Sequence, residues 1–150
     1  MRRIDRRTFL AAGPWLLVVS RVAGAQAPRG VHRIGFVSPT GPGPRNDAFL
    51  RGLRELGYVE GRNVAVAMRF AEGRPERLPG LVDELIRLGV DVLVVGSTIG
   101  ARAAKAATTT LPVVFAGSSD PVAGNIVKTL ARPGGNLTGT SLAYGDGIAG

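Results

Sequence analysis

The feature that most limits the fold of this chain is a regular alternation between short apolar runs and longer segments with helical periodicity. The run at 91–95 has no polar residue after Asp91, which is typical of a parallel strand buried on both faces. The segment at 75–88 places Leu78, Val82 and Leu85 on one helical face. The alternation predicts strands at 31–37, 63–70, 91–95, 111–116 and 137–142. It predicts a helix that begins at Asn46 or Asp47 and stops at Gly57, and further helices at 75–88, 98–107 and 121–130.

Strands and helices that alternate in this way form a parallel sheet, because each right-handed crossover returns the chain to the same end of the sheet. The predicted fold class is α/β, a flavodoxin-like three-layer sandwich with a parallel five-stranded sheet. In such sheets, ligands bind beyond the carboxyl ends of the strands, where the strand order reverses. This rule selects the loops that follow the first, third and fourth strands.

These three loops, at 38–44, 96–98 and 117–121, carry small hydroxyl side chains close to the starts of predicted helices. Hydroxyl groups and unpaired backbone N–H groups at a helix N-terminus hold a carboxylate or another anion well. The loops contain no nucleophile with an accompanying base, so we predict no catalytic residue. The candidate ligand-binding residues are Ser38, Thr40, Ser97, Thr98, Ser118 and Asp120.

Several of these residues also have a purely structural interpretation. Ser97 and Thr98 are typical N-cap residues of a helix, and a cap and a ligand contact can share one residue. Asp120 followed by Pro121 is the expected pair of N-cap and first-turn residues, which favours a structural role there. Ser38 has the stronger functional case, because no predicted helix starts close enough for it to cap.

Familiar cofactor and nucleophile motifs do not fit these loops. The loop at 41–46 lacks the third glycine of a dinucleotide site, and its prolines remove N–H donors that a pyrophosphate needs. The sequence around Gly96 and Ser97 lacks the spacing of a nucleophile elbow, and a Walker loop is missing. We therefore predict no cofactor.

Composition narrows the function further. The chain has no cysteine and a single histidine, His32, which argues against disulfides and against a cysteine or histidine metal site. The formal net charge is +8, but residues 1–27 hold five of the 19 basic and one of the 11 acidic residues. The remaining arginines are spread along the chain, without the clustering typical of a nucleic-acid site. We expect no nucleic-acid partner.

The N-terminus resembles an export signal. Four arginines precede a short apolar stretch at 11–19, and Arg6-Arg7-Thr8-Phe9-Leu10 is typical of the twin-arginine type. The apolar stretch is too short to span a bilayer, and small residues at 23–27 offer a cleavage site. We predict an export signal at 1–27, of the twin-arginine type, with the Sec route as the open alternative.

Four stretches of the mature chain, in order, resemble the ABC-transporter substrate-binding proteins, in the group that includes tryptophan- and tyrosine-binding lipoproteins. The stretches are 48–64, 91–95, 106–115, and 120–122 with 131–139. One departure is Asn125, which stands where the family pattern usually has glycine. Asparagine tolerates the left-handed backbone that such a glycine adopts, so we expect the fold to be kept.

The resemblance implies a two-lobed, type I periplasmic binding fold with a small ligand, such as an amino acid, between the lobes. It implies that Ser38, Ser97, Thr98, Ser118 and Asp120 line the cleft face of the first lobe. The implied partner is an ABC transporter permease, the implied location is the periplasm, and contact with a membrane is expected only through the permease or the export machinery.

The expected domains are the signal at 1–27, a first ligand-binding lobe at 28–143, and at 144–150 the start of a crossover to a second lobe that the chain does not include. The expected function is solute capture for uptake, not catalysis. Two alternatives stay open at this point, an exported hydrolase on a flavodoxin-like fold and an extracytoplasmic sensor lobe of a signalling protein.

Overall fold

The computed structural model of the chain describes residues 30–129 and 131–142. Its strands are β1 (His32–Ser38), β2 (Val64–Phe70), β3 (Val92–Val95), β4 (Val113–Ser118) and β5 (Leu137–Ser141). All five are parallel and form one sheet in the order β2-β1-β3-β4-β5. The direction of strand addition reverses between β1 and β3, as in a flavodoxin-like sheet.

Three helices connect the first four strands: α1 (Pro44–Glu55), α2 (Leu78–Arg87) and α3 (Thr98–Ala107). A one-turn 3₁₀ helix, Pro75–Arg77, directly precedes α2. Proline is the first residue of α1, where its missing N–H costs no helical hydrogen bond. Gly57 (φ 85°) and Gly89 (φ 70°) follow α1 and α2 in the left-handed conformation that ends a helix without a Cβ clash.

The larger part of the core lies between the sheet and the pair α2 and α3. Successive strand residues point to opposite faces, so Val37, Val95 and Phe115 face this layer. Leu78, Val82 and Leu85 of α2, and Ala101 and Ala104 of α3, complete this core. Four of these side chains show how closely the layers pack, since Val37, Leu78, Val95 and Ala104 have no exposed surface.

The other face of the sheet is covered by α1. Phe49 and Leu53 of this helix pack against Ile34, Phe36 and Val94 of the sheet. The rings of Phe36 and Phe49 lie 5.1 Å apart between centroids. Helices on both faces of a parallel sheet make three layers, so the predicted α/β sandwich is confirmed.

The predicted fourth helix is wrong in its described part, residues 121–129. One helical turn does form, since the N–H of Gly124 donates to the carbonyl of Asp120 at 2.9 Å. Asn125 then takes a positive φ of 54°, which stops the helix. The N–H groups of Ile126 and Val127 both turn back to the carbonyl of Pro121, and the two side chains enter the core.

The remaining predicted elements are confirmed, with ends that differ by a few residues. The predicted segments at 1–27 and 144–150 lie outside the described residues, as do residues 28, 29 and 143 of the predicted lobe and residue 130 of the predicted fourth helix. Within 30–129 and 131–142, the helices are too short or too polar to cross a bilayer.

Candidate functional site

The loops after β1, β3 and β4 meet at one edge of the sheet, because these strands are parallel neighbours. Ser38 ends β1, Ser97 follows β3 by one residue beyond Gly96, and Ser118 ends β4. Gly96 joins two of the loops, since its N–H donates to the carbonyl of Val37 at 3.0 Å. We refer to the edge formed by Ser38, Thr40, Ser97, Thr98, Ser118 and Asp120 as the polar rim.

The first part of the polar rim is a hydroxyl pair. The Oγ of Ser38 lies 3.2 Å from the Oγ1 of Thr40 and accepts a hydrogen bond from the N–H of Thr40 at 3.3 Å. Ser38 is buried, whereas Thr40 is exposed. The pair therefore presents Thr40 to solvent, with Ser38 beneath it as a local support.

The second part lies between α3 and β4. The Oγ of Ser97 accepts a hydrogen bond from the N–H of Gly100 at 3.0 Å, so Ser97 is the N-cap of α3. The Oγ1 of Thr98 lies 3.0 Å from the Oγ of Ser118. Ser118 has no exposed surface, whereas Ser97 and Thr98 are half-buried. Ser118 thus fixes the side chain of Thr98 from below, and Ser97 and Thr98 form the accessible surface here.

Asp120 adopts the capping geometry that its sequence neighbour predicts. Its Oδ1 accepts hydrogen bonds from the N–H groups of Val122 at 3.0 Å and Ala123 at 2.8 Å. The capped element is only one turn long, because Asn125 ends it. The residue remains exposed.

A turn after β2 supports the polar rim and escaped the sequence analysis. The N–H groups of Ala71 and Gly73 donate to the carbonyls of Ser38 and Pro39, at 2.9 and 2.8 Å. Between them Glu72 has a φ of 54°, an uncommon conformation for this residue type. Its hydrogen bond and ion pair with Arg77 lower the pKa of the Glu72 carboxyl, and Arg74 adds to the effect. The only sequence signal for this turn was Gly73.

Asn46, in the first turn of α1, was predicted only as a helix start. It is buried, and its Nδ2 has no hydrogen-bond partner within the described chain. A capping role at the helix start would have left this side chain exposed, so its burial could not be inferred from the sequence.

The chemistry of the polar rim is that of hydroxyls, one carboxylate and backbone N–H groups. His32 lies at the amino end of β1, at the opposite edge of the sheet, with its ring edge-on to Tyr58 at 6.3 Å. It therefore cannot act as a base for the rim serines. Within 30–129 and 131–142, no three metal-binding side chains come together. The arrangement suits the holding of a polar or anionic group.

Comparison with known proteins gives the family. Residues 34–146 match the family described as ABC transporter substrate binding protein. The chain belongs to this family. Its members are binding proteins, as the family description states.

Three relatives illustrate the similarity. A tyrosine-binding protein of Clostridioides difficile is 31% identical over 93 residues, which are 62% of this chain and 27% of that protein. A crystal structure of an ABC domain in complex with L-Trp, from Streptococcus pneumoniae, is 32% identical with a TM-score of 0.68, over 75% of this chain and 39% of that one. A ligand-free, open substrate binding protein with adhesive properties, from Clostridium difficile, is 31% identical with a TM-score of 0.68, over 74% of this chain and 39% of that one.

The chain spans about two fifths of the length of these solved relatives, which it covers to 39%. The match agrees with a single lobe of such a protein, in which a parallel five-stranded sheet lies between helices.

Proposed function

We propose that this chain is the first lobe of an exported receptor that captures an amino acid for an ABC uptake transporter. The observation that carries the proposal is the polar rim at the switch in strand order, on a chain whose family consists of substrate-binding proteins. In this proposal, Thr40, Ser97 and Thr98 contact the ligand. Ser38 and Ser118 support them, and Asp120 faces a cationic group.

The proposed ligand class is an aromatic amino acid. Two relatives point to it by name, one as a tyrosine-binding protein and one as a complex with L-Trp. The zwitterionic end of an amino acid suits the rim, since hydroxyls and the N-terminus of α3 favour its carboxylate and Asp120 favours its ammonium group. Ile99 directly follows Thr98, and Val122 lies two residues after Asp120. These two side chains are 52% and 42% exposed and supply apolar surface near the polar groups.

The proposed mechanism is closure of two lobes around the ligand. A ligand that contacts both lobes binds the closed state better than the open one and so shifts the population towards it. A permease would then recognise the closed form in the periplasm, after export by the N-terminal signal. The protein would not act as an enzyme, in line with the position of His32 far from the rim serines.

The test is calorimetric titration of L-tryptophan, L-tyrosine and glycine into a longer form of the protein that carries the proposed second lobe. We expect the two aromatic amino acids to bind and glycine not to bind. Replacement of Ser97 by alanine and Thr98 by valine should weaken binding by about tenfold for each hydrogen bond lost to the charged carboxylate. Thr109→Val, an exposed threonine near the other end of α3, is the matched control.

Two results would contradict the proposal. One is the absence of heat with every amino acid tested, in a protein that unfolds cooperatively. The other is equal affinity in the Ser97 and Thr98 variants and in Thr109→Val, which would move the ligand away from the polar rim.

A further inference from the structure

The connection from β4 to β5 is long and irregular. It runs from 119 to 136, and its described residues form neither a strand nor a helix. Loops of this length are costly to order and are usually fixed by specific contacts. Residues 120–125 lie near the start of this connection, and we name them the Asp120 turn.

Two cationic side chains of α3 hold the Asp120 turn. The Nε of Arg102 donates to the carbonyl of Gly124 at 3.0 Å, and the Nζ of Lys105 donates to the carbonyl of Asn125 at 2.6 Å. Arg102 and Lys105 are three residues apart and therefore lie on the same side of the helix. They bind two consecutive carbonyls at the point where Asn125 reverses the chain.

The same helix contacts the polar rim at its first turn. Thr98 begins α3 and shares a hydrogen bond with Ser118, the last residue of β4. Gly124 packs so closely here that a Cβ at this position would lie 3.2 Å from the Cγ2 of Thr98 and 2.8 Å from the carbonyl oxygen of Asp120. A shift of the Asp120 turn along α3 would therefore displace Thr98 and Asp120 relative to each other.

We propose that Arg102 and Lys105 are positioning residues of the polar rim, which hold the Asp120 turn against α3 and thereby set the place of Asp120 beside Thr98. This inference rests on the proposed function for the role of the rim. The two hydrogen bonds from Arg102 and Lys105 to the Asp120 turn, which we call the tether, do not depend on any ligand. Neither cation contacts the ligand in this scheme. Their effect passes through the carbonyls of Gly124 and Asn125.

The tether is tested by backbone amide hydrogen exchange of the chain. Arg102→Met and Lys105→Met keep much of the aliphatic stem and remove the donor groups. The readout is exchange at the N–H groups of Val122 and Ala123, which bind Asp120 in the native chain. Loss of one hydrogen bond should speed exchange by about twofold to tenfold. Arg51→Met is the control, since Arg51 is an exposed arginine on α1.

The positioning role is tested by affinity for L-tryptophan and L-tyrosine in the two-lobed form. Each methionine variant should bind about twofold to tenfold more weakly, while its Tm stays close to that of Arg51→Met. Arg102→Lys and Lys105→Arg retain a donor at the end of the side chain and should restore both exchange and affinity. A general loss of stability would not be reversed in this selective way.

If the Arg102→Met and Lys105→Met variants exchange at Val122 and Ala123 no faster than Arg51→Met does, the inference is overturned, whether or not a ligand binds. Faster exchange with unchanged affinity would support the tether but would overturn the positioning role of Arg102 and Lys105. If the unaltered protein binds neither amino acid, the proposed function fails, and the exchange result still decides whether the tether exists.

Discussion

Two turns at the polar rim start alike and end differently. The turn after β3 begins with Ser97, which caps α3, and the helix continues for ten residues to Ala107. The turn after β4 begins with Asp120, which caps two N–H groups in the same manner, yet its helical path stops at Asn125. A good cap therefore starts a helix but does not decide its length.

The residues that follow the cap explain the difference. After Ser97, α3 turns the small residues Gly100, Ala101 and Ala104 towards the core, and all three are buried. After Asp120, the left-handed backbone of Asn125 ends the helical path, and the buried residues Ile126 and Val127 follow this break. The reversal at Asn125 lets both side chains reach the core, and Arg102 and Lys105 bind the carbonyls at the reversal.

The largest expected effect comes from a methyl group at the second turn. Gly124→Ala would place a Cβ 2.8 Å from a backbone oxygen that cannot easily move. We expect a loss of about 1–3 kcal/mol in the free energy of unfolding, as for other overpacked sites, measured by urea denaturation. Gly80→Ala is the opposite control, because Gly80 is in α2 with open space around it. That variant should be more stable by about 0.5–1 kcal/mol, and the same sign for both variants would contradict the argument.

The next largest expected effect is the loss of stability when each of the two capping side chains is removed. Ser97→Ala should cost about 1 kcal/mol of unfolding free energy, because the first turn of α3 loses its cap. Asp120→Ala should cost less, since its turn is also held by Pro121, Arg102 and Lys105. Urea denaturation of both variants measures the order. A larger loss for Asp120→Ala would mean that the short turn depends on its cap more than the long helix does.

A third measurement asks how strongly the two turns are joined. Thr98 begins α3 and Ser118 ends β4, and their hydroxyls share one hydrogen bond of 3.0 Å. A double-mutant cycle with Thr98→Val and Ser118→Ala should give a coupling of about 0.5–1.5 kcal/mol. Additive losses in the cycle would show that the two turns are energetically independent at this contact.

The smallest expected effect concerns an ion pair that lies outside both turns and serves as a reference. The Arg69 guanidinium donates a hydrogen bond of 2.8 Å to Glu84 and lowers the pKa of that carboxyl, in a partly exposed position. A lowered pKa stabilises the fold above the ordinary carboxyl pKa, and this contribution disappears as the pH falls through the lowered value. Glu84→Gln should thus lower stability slightly at about pH 7 and not at about pH 2. A difference that persists in acid would rule out the ion pair as its cause.

Most of the fold could be predicted from the sequence, because it follows from local periodicity. The run at 91–95 and the helical face of Leu78, Val82 and Leu85 predicted β3 and α2, with ends that differ by a few residues. The predicted tolerance of Asn125 for left-handed backbone is confirmed by its φ of 54°. The prediction of a helix at 121–130 failed in its described part because the left-handed backbone of Asn125 ends the helical path, after which Ile126 and Val127 enter the core.

The candidate site was less predictable than the fold. The order of the strands brought Ser38, Ser97 and Ser118 to one edge, as the alternation implied. Their exposure could not be inferred, and Ser118 proves to be buried under Thr98 while Thr40 faces solvent. The turn at Glu72 and the cations of α3 were missed, because their partners are backbone carbonyls that no side-chain pattern reveals.

The sequence by itself determined the layers, the parallel sheet and the edge at which the loops of Ser38, Ser97 and Ser118 meet, since these depend on periodicity and on the handedness of short connections. Only the tertiary structure decided which hydroxyls face solvent and where the helix after β4 stops. Those outcomes depend on competition between burial and hydrogen bonding among residues distant in sequence, such as Arg102 with Gly124 and Thr98 with Ser118.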